Sequence, residues 1–121
     1  MYIKISDIRY VDNGKGEPFT SKIGEKYEHR KNKIYECIPL PDYPSEYGLT
    51  LEEVDELGQL TGYVLETTPF IKATSNAKGD VCILTKNSIY DCIDVTKEIE
   101  NNMQNHINNE ILYKEDNEYT D

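Results

Sequence analysis

Ile3, Ile5, Ile8 and Tyr10 fall in a stretch free of Gly and Pro and predict an opening strand over Tyr2 to Val11. Asp12-Asn13-Gly14-Lys15-Gly16 follows as turn chemistry, because Asn and Gly tolerate positive φ. Pro39, Pro41 and Pro44 have no amide to donate, so residues 39–44 read as an extended loop. Thr50-Leu51-Glu52-Glu53 has the form of a capping box and predicts a short helix over about 51–57, with Gly58 as its stop. A strand is expected from Thr61 to Thr67, ended by Pro69.

The clearest helical period comes last. Ile99, Met103, Ile107 and Ile111 recur every four residues and predict a helix over 96–112. Glu98 and Glu100 sit in its first turn, where the helix dipole favours them. The other faces carry Asn101, Asn102, Asn105, Asn108 and Asn109. Asn is a poor helix former, so this helix needs a surface to pack on. That surface is either its own sheet or a second subunit, which makes Ile99, Met103, Ile107 and Ile111 candidate dimer contacts. Residues 113–121 are acidic and lack aliphatic side chains, so they are expected to form a flexible tail on a single domain of residues 1–112.

Two segments repeat one design. Residues 24–38 read GEKYEHRKNKIYECI and residues 79–93 read GDVCILTKNSIYDCI. Seven of the fifteen positions are identical and two more exchange Glu for Asp. Each copy follows a Pro-Phe pair, Pro18-Phe19 and Pro69-Phe70. The pattern predicts two β-hairpins, with Lys31-Asn32 and Lys86-Asn87 at two-residue turns and Asn at positive φ. Ile34–Ile38 and Ile89–Ile93 are the strands after each turn. The second hairpin is apolar on both faces, with Val81, Ile83 and Tyr90 on one and Leu84, Ile89 and Ile93 on the other, so it is expected at the centre of the sheet. The first, with Lys26, Glu28 and His29, is expected nearer an edge. Together the elements make a β-rich α+β domain on a small curved antiparallel sheet.

Composition narrows the class. A chain of 121 residues with 37% apolar content fits one domain with a modest core. The longest unbroken aliphatic-plus-Cys run is Val81 to Leu84, far short of the roughly 20 residues of a membrane-spanning helix. Met1 leads straight into Tyr2-Ile3-Lys4-Ile5 without an apolar signal region, so a cytoplasmic protein is expected. Cys37, Cys82 and Cys92 are odd in number and lack a C-x-x-C pair, which reads as reduced, buried thiols. A net charge of −10 argues against direct nucleic-acid binding. That charge is uneven: residues 1–40 hold 8 basic and 6 acidic side chains, net +2, so residues 41–121 carry −12.

The run from Tyr10 through Asp12-Asn13, Pro18-Phe19-Thr20, Gly24 and Tyr27-Glu28 resembles the opening of small SH3-like β-barrel proteins of Firmicutes and their phages. These begin with a strand, a polar loop holding Pro-Phe-Thr, then Gly and a Tyr-Glu strand. The likeness covers about 20 of the 121 residues and includes no catalytic motif. It implies an SH3-like barrel or a strongly bent sheet, and no activity. After residue 38 the chain departs from that pattern, with its Pro-rich loop, short helix and long final helix.

Chemistry is sparse. The only histidines, His29 and His106, have no local Cys partner that would mark a nucleophile and base. Three lone Cys and two distant His do not make a zinc site, the 12-residue calcium pattern is absent, and Gly14-x-Gly16 lacks the third Gly of a dinucleotide fingerprint. No metal, cofactor or enzymatic activity is expected. Two constellations remain. Tyr43, Glu46, Tyr47, Glu52, Glu53, Asp55 and Glu56 join tyrosines to carboxylates on a Pro-stiffened segment, which suits a basic protein surface, including one that normally holds nucleic acid. Lys26, Tyr27, His29, Arg30, Lys31 and Lys33 gather cations and aromatics that could hold a phosphate-bearing ligand. The favoured expectation is a non-enzymatic inhibitor of a basic partner, of the kind that phages and mobile elements use against host defence. The rivals are a small-molecule binder such as a nucleotide sponge, monomeric or dimeric, and a dedicated immunity or scaffold module.

Overall fold

The structure is a computed structural model that describes residues 1–12, 15–18 and 28–118, with backbone only for 11–18 where described and for 111–118. The Asn13-Gly14 turn centre, Phe19, Thr20, Gly24, Lys26, Tyr27 and residues 119–121 lie outside the described residues.

Among the described residues, seven strands form one antiparallel sheet: β1 (Tyr2–Asp12), β2 (Lys15–Pro18), β3 (Ile34–Glu36), β4 (Gly48–Val54), β5 (Leu60–Ser75), β6 (Asp80–Thr85) and β7 (Ser88–Asp94). Strand β1 pairs with β3 at Tyr2–Lys4 and with β7 from Ile3 to Tyr10. The ring β1-β3-β4-β5-β6-β7 is thereby closed, a six-stranded barrel, and β2 lies along the far end of β1 from Arg9 to Asp12. Closure removes the open edges that a sheet of this size would otherwise expose. No helix among the described residues is long and apolar enough to cross a membrane.

The core follows strand alternation, corrected where the chain bulges. Ile3 and Ile5 point inward at every second residue. The register then shifts between Ile5 and Asp7, which brings Ile8 inward as well. Leu51, Val54, Leu65, Phe70, Val81, Ile83, Tyr90 and Cys92 fill the remainder. Of the two apolar faces of β6 and β7, the Val81-Ile83-Tyr90 face is the buried one, while Ile93 is exposed.

The repeat has a structural meaning different from two matching hairpins. Its second copy is a hairpin, β6 to β7, turning at Lys86-Asn87 between Leu84 and Ile89. Asn87 does not take positive φ; instead the Thr85 hydroxyl accepts from the Ser88 amide and the Thr68 hydroxyl from the Asn87 amide. In the first copy, the expected first strand at 24–27 lies outside the described residues; Glu28–Arg30 is a 3-10 turn, Asn32 does take positive φ (60°), and β3 pairs with β1 and β4. The expected edge strand is therefore interior to the ring. What the copies share is the Ile-Tyr-x-Cys strand. Tyr35 and Cys37 are buried, as are Tyr90 and Cys92, and the two strands flank β1 on either side.

Residues 51–57 are not helical. Gly48–Val54 is strand β4, with β3 on one side and β5 on the other. The Thr-Leu-Glu-Glu signature is local, and pairing on two sides outweighs it. Asp55 builds the turn that follows: its carboxylate accepts from the amides of Leu57 and Gln59, and Gly58 sits at φ 74°. Asn76 and Gly79 (φ 89°) build the β5–β6 turn in the same way. Nor does Pro69 end β5. The strand runs through it, pairing with β4 up to Pro69 and with β6 from Phe70.

The final helix, α1 (Thr96–Glu118), runs six residues beyond its expected end at 112, and no Gly or Pro in 113–118 stops it. The Asp94 carboxylate accepts from the Thr96 amide at its start, and the Thr96 hydroxyl accepts from the Tyr2 amide. Ile99 is buried against its own chain and Met103 is half-buried, whereas Ile107 is 47% exposed. A Cβ on Gly58 would lie 3.1 Å from Met103 Sδ, 3.2 Å from Tyr2 Oη and 3.3 Å from Ile99 Cγ2. Gly58→Ala should therefore cost about 1–2 kcal/mol in urea unfolding, from the positive φ and the crowded helix contact together. An unchanged midpoint would mean that the helix does not rest on this turn.

Candidate functional site

A cavity of about 370 Å3 lies between the 3-10 turn, β3, β4 and β5, lined by His29, Arg30, Lys33, Tyr35, Glu53, Tyr63, Val64 and Leu65. Two further hollows lie elsewhere: one of about 300 Å3 beside Ser6, Cys82 and Asp91, and one of about 420 Å3 between the β4–β5 turn and the Asn-rich face of α1. Of these three, the first is the one that joins cations, an aromatic ring and a carboxylate.

Arg30 is held by both tyrosines of the repeat. Its guanidinium donates to Tyr90 Oη at 3.2 Å, and its carbonyl accepts from Tyr35 Oη at 3.4 Å. Burial pushes the Tyr35 phenol up to about 12, the negative charge of Glu53 adds to the rise, and Arg30 opposes it. Tyr35 thus stays protonated and remains a donor. Asn32 N–H donates to the Ile5 carbonyl, and Ile5 N–H to the Lys33 carbonyl, so the turn that carries these cations is bonded to β1.

The remaining side chains come from the neighbouring strands β4 and β5, with Glu53 paired across from Tyr35. Between the pairs Glu52–Val64 and Val54–Leu60, three residues of β5 face the single residue Glu53. Gly62, at φ 94°, makes that bulge, and Tyr63 stands out of it with 74% of its surface exposed. The Thr61 hydroxyl donates to the Glu53 carboxylate and orients it.

The two constellations expected from sequence are regrouped. His29, Arg30 and Lys33 line the cavity, while Lys31 turns away to Asp7 (3.2 Å) and Glu28 (3.0 Å), whose hydrogen bonds hold its pKa above the usual value. Lys26 and Tyr27 lie outside the described residues. From the acidic set, Glu53 joins the basic residues in the cavity. Tyr43 and Tyr47 are 71% and 74% exposed on the loop before β4, Glu46 and Glu52 are exposed, and Asp55 and Glu56 belong to the far turn. At roughly 3.3 Å per residue, Tyr47 and Asp55 stand about 25 Å apart along the strand, so the set is a stripe and not one patch. Among the candidate dimer contacts, Ile99 is buried within its own chain, and the Ile111 side chain lies outside the described residues. Tyr63, Val64 and Leu65 were missed by sequence reasoning. Gly62 inside a strand pattern was the available signal, because such a Gly marks a bulge.

The thiols form no disulfide among the described residues. Cys37, Cys82 and Cys92 are all free, and burial raises the pKa of each, that of Cys92 to about 12. Neutral thiols are poor nucleophiles. Among the described residues, no group of three or more His, Cys, Asp and Glu side chains is arranged to hold a metal ion. No protein family, curated protein or solved structure matches the chain.

Proposed function

We propose that the chain is a non-enzymatic binding protein that sequesters a small phosphate-bearing aromatic ligand of the nucleotide class. The observation that carries this reading is the meeting of Arg30, Lys33 and Tyr63 in one cavity of about 370 Å3, within the usual range for small-molecule sites. Cations at one end suit a phosphate, since charge-assisted hydrogen bonds to phosphate are the strong ones. An exposed tyrosine ring suits a base, which stacks on it whatever its identity. The net charge of −10 favours a mononucleotide over a strand, because each further phosphate adds repulsion.

A nucleotide panel should raise the melting temperature of the full chain. Lys33→Ala should weaken that binding about tenfold by removing a phosphate contact, and Tyr63→Ala by a similar factor through lost stacking. Both residues are exposed, so neither change should disturb the barrel. A panel that produces no shift at millimolar concentration removes the proposal.

A second reading draws on Tyr43 and Tyr47, both more than 70% exposed within the Pro-stiffened loop. With Glu46 and Glu52 they could engage a basic protein, as an inhibitor or anti-defence protein would. Its support is weaker, because the acidic residues are strung along a strand and Asp55 already serves its own turn.

A further inference from the structure

We infer that Glu53 selects the base, and that the ligand preferred by the cavity is a guanine nucleotide. This rests on the nucleotide reading and sharpens it. Glu53 is a carboxylate on the wall of a cavity that also holds the cationic side chains of Arg30 and Lys33. A phosphate would be repelled by it, so its use lies with the other end of the ligand. It stands beside Tyr63, across the three-residue bulge of β5, where a stacked base would present its edge. Its described hydrogen-bond partner is the Thr61 hydroxyl on Oε2. A carboxylate offers about four lone-pair sites, so both oxygens remain able to accept.

Base edges differ in what they offer such a group. Guanine presents two parallel donors, N1–H and an N2 hydrogen, which match the two oxygens of a carboxylate. Adenine and cytosine each present one amino donor beside a ring acceptor, and that acceptor faces the second oxygen unfavourably. Uracil presents one N–H flanked by two carbonyls. Paired hydrogen bonds to a base edge discriminate by about tenfold or more. The Thr61 hydroxyl holds the carboxylate in one orientation, which removes part of the ordering cost on binding.

The test is calorimetric titration of the full chain with GMP, AMP, CMP, UMP, inorganic phosphate and a guanine-containing trinucleotide. GMP should bind at least tenfold more tightly than the other mononucleotides. In Glu53→Gln the amide supplies one donor and one acceptor, so GMP should weaken about tenfold while AMP holds or improves, since Gln pairs with adenine. Thr61→Val, which keeps the charge and frees the carboxylate, should narrow the preference without abolishing it. A merely structural Glu53 would shift all four nucleotides alike. Equal binding of all four in the natural chain would overturn base selection and leave the cavity reading standing. Absence of any binding, phosphate included, would remove both. A trinucleotide that binds more tightly than GMP would make the ligand a strand and overturn the proposal.

Discussion

Gly48→Ala should cost the barrel a large part of its stability. Gly48 opens β4 opposite Pro69, where β5 bends between its two partners. A Cβ built there would lie 1.8 Å from the Thr67 carbonyl oxygen and 2.8 Å from the carbon that carries it. Both are backbone atoms, so no side chain can swing aside. Thr67 is also fixed: its hydroxyl accepts from the Leu49 amide at 2.8 Å and donates to the Thr68 carbonyl at 2.8 Å. On the same stretch, Phe70 N–H donates to the Tyr47 carbonyl and Ser45 N–H to the Phe70 carbonyl. Relieving the clash means breaking this ladder beside Phe70, which is 1% exposed and the largest fully buried side chain. The expected loss is about 4 kcal/mol or more, against the ~5–15 kcal/mol of a typical domain. Far-ultraviolet circular dichroism with urea unfolding reads it. Gly62→Ala is the control, since its Cβ would meet nothing within 4 Å and only its φ of 94° resists. A Gly48→Ala protein with a wild-type midpoint would show that the two strands do not approach this closely.

Stability should fall steeply between pH 9 and 12, through Tyr35 and Cys92. Burial raises the Tyr35 phenol from 10.0 and the Cys92 thiol from 9.0, each to about 12, and nearby negative charge adds to both. The folded state thus keeps protons that the unfolded chain gives up. Below pH 9 both states are protonated at these groups and the contribution is complete. As pH climbs toward 12 the unfolded chain ionises first, and stability drains away. At 1.36 kcal/mol per unit the two groups withdraw on the order of 7 kcal/mol. Urea midpoints measured from pH 8 to 12 should trace this decline. In a Tyr35→Phe, Cys92→Ala double variant the neutral-pH midpoint is lower, but the alkaline slope should flatten. An unchanged slope would assign the decline to other groups.

Individual residues explain how much was legible beforehand. The alternation at Ile3 and Ile5, and the stripe begun by Ile99, announced their elements because each is set by its own neighbours. The second hairpin was readable at Lys86-Asn87 for the same reason. Thr50 to Glu53 misled because a capping box and a strand with side chains alternating in and out share the same four letters, and only pairing with β3 and β5 decides between them. Pro69 misled because a bend between two pairing partners tolerates a missing amide. For the site, the cations of residues 29–33 were visible as a cluster. Their meeting with Glu53 and Tyr63 was not, since it depends on β4 and β5 returning beside the 3-10 turn. Nor could sequence assign Tyr90 and Tyr35, equivalent positions of the repeat, to the guanidinium and the carbonyl of one arginine.

Closure of the ring through β1 and β7 has a kinetic meaning. Residue pairs such as Ile5 with Cys92 and Ile3 with Asp94 lie near opposite ends of the sequence, so the seam that completes the barrel joins at great chain separation. Such contacts confer no benefit until a long loop has been closed, which places barrels of this kind among the slower small folders, in milliseconds to seconds. During synthesis, Ile3, Ile5 and Ile8 are made before β7 and are not covered by it until residue 94 has been made. The first strand is therefore the most aggregation-exposed part of the nascent chain, although it is among the best-protected parts of the finished one.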